Sequence, residues 1–140
     1  MTAPIRPARE SDVPRLMAIR AAVAENRLSH PATVTAPDYL PYIAAEALWV
    51  WEERHALLGF AAIDAQASLL WALFVTPKAC GRGIGTALLT HSVDQARAAG
   101  LGELRLATAP GTRAERLYRR TGWHEAGRDA SGDLLMRLTL

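Results

Sequence analysis

The sequence predicts one α/β domain over residues 1–140, built as a mixed, mostly antiparallel sheet flanked by about four helices. Three observations carry that expectation. Residues 48–76 hold β-rich runs separated by polar turns, a long amphipathic stretch follows over 82–99, and the remainder alternates strand, helix and hairpin.

Taken in order, residues 4–8 read as a short first strand. Ser11 or Asp12 offers an N-cap, and the stripe of Val13, Leu16, Met17, Ile19 and Val23 predicts a helix ending near Asn26. Arg20 interrupts that stripe. After the breaker His30-Pro31, Thr35 can cap a short second helix through Tyr39, Leu40 and Ile43. The runs 48–51, 57–64 and 69–76 predict an antiparallel meander. The helix over 82–99 carries Ile84, Leu88, Leu89, Val93 and Ala96 inward and stops at Gly100. A strand at 103–109, a helix at 112–121 and a hairpin of 123–128 with 134–139 around Ser131-Gly132 complete the sheet.

Composition narrows the function classes. Half of the residues are hydrophobic and 21% are charged, which describes a globular domain with a substantial core. No apolar run approaches the roughly 18 residues of a membrane span, and the N-terminus lacks the apolar centre of a signal peptide. A single cysteine allows no internal disulfide, so a cytoplasmic location is expected. The net charge of +2 spreads over scattered side chains, which does not imply nucleic-acid binding. Arg113, Arg116, Arg119 and Arg120 do cluster. A solvated helix face is the favoured reading, and contact with ligand phosphates is the other.

The segment Val75-Thr-Pro-Lys-Ala-Cys-Gly-Arg-Gly-Ile-Gly-Thr86 runs from an apolar strand through a glycine-rich turn into the long helix. Such a turn traps anions, because glycine lets the backbone approach a ligand and the first helical amides have no intrahelical acceptor. A diphosphate fits. A nucleoside-triphosphate loop would need Lys and then Ser or Thr after the last glycine, whereas Gly85 precedes Thr86 and Ala87. A dinucleotide fingerprint would sit in a first βα turn with an acid closing the next strand, and residues 103–108 end without one.

The wider pattern decides between these anions. Leu73-Phe-Val75, Pro77, Gly81-Arg-Gly-Ile-Gly85 and Leu88-Leu89, followed by Ala114, Leu117, Tyr118, Gly122 and Trp123, resembles the GNAT superfamily of N-acetyltransferases. The likeness covers about residues 4–139, and its specific motifs lie within 70–125. Two positions depart from the family's pattern: Cys80 stands where Arg or Gln is usual, and Gly111 where Asn is frequent.

The resemblance implies direct transfer of an acetyl group from acetyl-CoA to a primary amine of a small molecule, with no metal. It assigns the diphosphate to the backbone of Cys80, Gly81, Arg82, Gly83, Ile84, Gly85 and Thr86, with Ala114 alongside. The thioester would lie against Leu73, Phe74 and Val75, whose strand amides would polarise its carbonyl. Tyr118 stands at the family's general-acid position. A phenol near pKa 10 protonating a thiolate whose thiol is near 8.5 goes uphill by about 2 kcal/mol, a gap that positioning can close. An acetyl-cysteine intermediate on Cys80 is conceivable, but the family transfers directly.

No ionisable side chain stands in 69–75, so the base is sought in Glu25, in His30 or in an ordered water. The same connector places Glu25, Arg27 and His30 at the acceptor wall, where a carboxylate and a guanidinium together would suit an amino-acid-like substrate. Four tryptophans, together with the resemblance, give the expectation of a homodimer. A non-catalytic acyl-CoA-binding protein and an acetyltransferase of protein amines are the alternatives.

Overall fold

The computed structural model describes residues 4–23 and 34–140. Its strands are β1 (Ile5–Pro7), β2 (Leu48–Glu53), β3 (Ala56–Asp64), β4 (Leu69–Val75), β5 (Glu103–Thr108), β6 (His124–Arg128) and β7 (Leu134–Thr139). Its α-helices are α1 (Val13–Ala22), α2 (Ala36–Ala44), α3 (Ile84–Ala98) and α4 (Arg113–Arg120). The strands form one sheet in the order β1-β2-β3-β4-β5-β7-β6, antiparallel throughout except for the β4–β5 pair.

The sheet is coated on both faces. Phe60, Ala62 and Ala72 face α1 and α2, where Leu16, Ile19 and Tyr39 bury against them. On the other face Leu89, Val93 and Ala96 of α3 pack with Leu104, Leu106, Tyr118 and Trp123. The alternation along β2, β3 and β4 therefore splits their side chains between two cores. Arg6 ties the N-terminal edge together, its guanidinium meeting Asp12 at 3.0 Å and Glu52 at 3.0 Å.

Thr35 caps α2 as expected, its amide donating to the Asp38 carboxylate at 2.7 Å. Two helix boundaries shift by more than one residue. Helix α1 ends at Ala22 rather than near Asn26, because β-branched Val23 has already turned extended at φ −84°, ψ 102°. Helix α3 begins at Ile84 rather than at 82, because Gly83 caps it in the left-handed region at φ +83°.

The tryptophans are accounted for within the chain. Trp49 and Trp123 are buried, Trp71 stacks on Tyr42 with centroids 4.3 Å apart, and Trp51 donates its indole N–H to Glu53. They give no ground for the expected second copy.

Gly59 is a position whose role only the packing reveals. A Cβ there would lie 2.9 Å from the Phe74 carbonyl and 3.1 Å from Leu88 Cδ1, where α3 crosses β3 and β4. Gly59→Ala is expected to destabilise the fold by about 1–3 kcal/mol, the usual cost of overpacking against backbone. Chemical denaturation checks it, and a change under about 0.5 kcal/mol, the scale of a surface substitution, would remove the steric argument.

Candidate active site

Strands β4 and β5 part. Their parallel pairing is confined to Leu69 with Arg105, where the Arg105 amide reaches the Ser68 carbonyl at 2.8 Å. Beyond that point a cleft of about 250 Å³ opens, lined by Leu70 to Phe74 on one side and Leu106 to Ala109 on the other. A bulge contributes to the parting. Ile63 pairs Leu70 while Ala62 pairs Ala72, so Trp71 is the extra residue, and bulges bend their strand.

Which amides face the cleft follows from the ladder. The Thr76 amide donates to Leu58 at 2.8 Å, so Thr76 and Leu58 form a hydrogen-bonded pair, and Phe74 with Phe60 forms the next. Val75 falls between them and Leu73 just before Phe74, both in non-hydrogen-bonded positions that aim their N–H and C=O groups away from β3, toward the cleft. The strand is left half-paired where a ligand would lie.

The glycine turn follows the C-terminal end of β4, and its Gly85 lies against Val75 and against Leu117 of α4. Gly81 and Gly83 have φ of +85° and +83°, and a Cβ on either would meet nothing within 4 Å, so both open outward. Among the described residues the amides of 81–86 donate to no backbone carbonyl, the first helical bond being Ala87 to Gly83 at 3.0 Å. Cys80 departs from expectation. Its amide is spent on the Pro77 carbonyl at 3.3 Å, so the free run starts at Gly81. The Arg82 side chain turns from the turn's mouth to Glu53, 2.6 Å away, and pins the loop to β2.

The Cys80 thiol sits 3.7 Å from the Thr76 carbonyl and is not among the residues lining the cleft. Cys80→Ala should therefore keep turnover within about twofold, and its loss with coenzyme affinity intact would revive a covalent route.

Helix α4 closes the far wall with Ala114 and Tyr118. Thr112 caps it, accepting the Glu115 amide at 3.2 Å and donating to the Ala109 carbonyl at 2.8 Å. Glu115 in turn accepts the Gly111 amide at 2.7 Å, so the backbone at 111 serves the cap. Tyr118 is buried, packs 5.6 Å from the Trp123 ring, and its hydroxyl has no hydrogen-bond partner among the described residues. Burial raises its pKa above the ordinary phenol value, so it stays protonated.

Of the arginine cluster, Arg119 pairs with Glu115 at 2.7 Å and Glu125 at 3.2 Å, as a solvated face would. His55 lies in the β2–β3 turn, His91 packs on Trp49, and His124 is exposed on β6. Among the described residues, Arg20 and Tyr118 are the ionisable side chains that line the cleft. Glu25, Arg27 and His30 lie outside the described residues. Thr112 was legible beforehand, since Thr112 and Glu115 stand in capping-box spacing. Arg20, the break in the first helix's stripe, was visible without a role.

A split sheet whose open end abuts a run of free helix-end amides matches a known family. The acetyltransferase (GNAT) family model covers residues 16–123. The chain belongs to this family. Its fold matches PaiA N-acetyltransferase of Thermoplasma acidophilum, solved with coenzyme A, at a TM-score of 0.81 and 17% identity, covering 100% of both chains. N-acetylglutamate synthase of Neisseria gonorrhoeae, solved with coenzyme A and N-acetyl-glutamate, matches at 0.82 and 22% identity over 100% of this chain and 35% of that one. Peptidyl-lysine N-acetyltransferase YiaC of Escherichia coli K12 is 50% identical over 50 residues, 36% of this chain. That match spans 34% of the relative, about a third of its length. As a member of this family the chain is assigned to the acyltransferases, and the PaiA and N-acetylglutamate synthase structures are the ones that hold coenzyme A.

Proposed function

We propose that this GNAT enzyme transfers the acetyl group directly to the primary amine of a small molecule. The half-paired edge of β4 beside the free amides of residues 81–86 is the observation that carries the reading. An extended pantetheine arm would add to β4 through Leu73 and Val75 while its diphosphate meets the helix end. The amide of one of these residues would hydrogen-bond the thioester oxygen, stabilising the negative charge that develops there by about 3 kcal/mol.

The amine nitrogen then forms its bond to the carbonyl carbon, the C–S bond breaks, and the sulfur takes the Tyr118 proton. The proton shed by the amine leaves through Glu25, His30 or water, since the described cleft walls hold no carboxylate or imidazole. Burial raises the Tyr118 pKa and so widens the gap to an aqueous thiol. The same desolvation acts on the departing thiolate, which forms in the same cleft and rises with it. The gap between donor and acceptor stays modest.

A protein amine is the second reading, favoured by the likeness to a peptidyl-lysine acetyltransferase. Titration calorimetry with acetyl-CoA, followed by an acceptor screen of small amines and lysine peptides, separates them. Binding and acetylation of a small amine is the expected result; transfer to lysine peptides alone would select the second reading, and binding without any transfer would leave a non-catalytic protein.

A further inference from the structure

Helix α1 buries Val13, Leu16 and Ile19, and Arg20 breaks that apolar face without turning fully to solvent. Its guanidinium carbon lies 4.7 Å from the Phe74 ring centroid and 5.1 Å from that of Trp71, and the side chain lines the cleft with Thr108, Thr112 and Tyr118. The rings are themselves fixed. Trp71 is stacked by Tyr42 and met edge-on by Tyr39 at 5.4 Å, while Phe74 rests on Phe60.

Aromatic faces attract the cation but accept none of its in-plane N–H groups. A guanidinium has five donors, and Arg20 spends one of them on a contact of 3.5 Å to the Tyr39 hydroxyl, the outer limit of a hydrogen bond. No carboxylate among the described residues meets it. A planar cation held over two rings in a ligand cleft, with most of its donors unspent among the described residues, matches a carboxylate bidentately. The same charge opposes an acceptor that carries only an ammonium, whereas an amine with its own carboxylate offsets it.

We propose that Arg20 is a specificity-determining residue that reads a carboxylate on the acceptor, so that the acceptor is an amino acid or a similar amine bearing an acid. The inference rests on the small-molecule reading above. It also moves the anion-gripping role, expected from the sequence at Arg27, to a residue on the cleft wall.

The test uses matched pairs: L-alanine, L-methionine, L-phenylalanine and L-glutamate against their α-carboxamides. The parent is expected to favour at least one acid over its amide by tenfold or more in kcat/KM, chiefly through KM. Arg20→Gln should erase that preference and Arg20→Lys restore part of it, with acetyl-CoA affinity and melting temperature held. An equal rate on acid and amide in the parent, or a preference that survives Arg20→Gln, overturns the assignment. Calorimetry of the same compounds on the coenzyme A-bound protein keeps the two readings apart. Arg20-dependent heat from the acids and none from the amides supports the carboxylate site even where no transfer occurs, and no heat from either overturns it.

Discussion

Tyr118→Phe is expected to lower kcat at least a hundredfold while changing the acetyl-CoA dissociation constant by less than about twofold. General acids contribute roughly 10²–10⁴ in rate, and the substitution removes one oxygen from a side chain that makes no hydrogen bond to the described protein. The ring, its packing on Trp123 and its place in the core all remain, so stability should hold. The pH profile sharpens the test. Because burial raises the Tyr118 pKa, its proton is present at every pH below the ordinary phenol value, and no alkaline fall of kcat below about pH 10 belongs to it. Unchanged turnover, or a fall in the parent near pH 8 that disappears in the variant, would take the acid role away from Tyr118.

Gly83→Asp should separate binding from folding. Gly83 caps α3 at φ +83°, a region that Asp tolerates better than most residues, and a carboxylate at a helix N-terminus is itself stabilised by the helix field. The left-handed backbone costs a side chain about 1–2 kcal/mol and the helix field returns about 0.3–1, so the fold should weaken by about 1 kcal/mol. The same carboxylate would face the coenzyme's diphosphate. At an effective dielectric near 20 and a separation of about 5 Å, one pair of like charges costs about 3 kcal/mol, or more than a hundredfold in affinity. Gly83→Asn is the control, with the same shape and no charge. A comparable loss of affinity in both variants would trace the effect to backbone strain instead, and no loss in either would move the diphosphate elsewhere.

Much of this arrangement is legible before any coordinate is known, because local chemistry fixes it. The meander, the long helix stopped at Gly100 and the final hairpin follow from periodicity and turn residues. The glycine turn announces an anion site by composition, and Thr35 and Thr112 stand where caps belong. Other features depend on tertiary contact. The extra residue at Trp71 appears only when β3 fixes the register of β4, and the parting of β4 from β5 depends on partners distant in sequence. Gly59 reads as a weak strand residue until α3 is seen crossing it. Cys80 looks like one more amide donor until the turn over Pro77–Ala79 claims its hydrogen. Arg20 is a broken pattern with a tertiary cause: the sequence marks the interruption, and only the fold supplies the two rings beneath it.

The gap between β4 and β5 also bears on how long the protein survives. A sheet interior that leaves strand amides unmatched forgoes stabilisation that a fully zipped sheet would have, and acetyl-CoA bound in the gap as proposed would return the missing share. By mass action, co-substrate at about a hundred times its dissociation constant adds about 2.7 kcal/mol to the folded state. That is a large part of the margin by which an ordinary domain stays folded. On the proposed binding mode, resistance to proteolysis is expected to rise with the supply of acetyl-CoA, which proteolysis of the protein with and without the co-substrate checks.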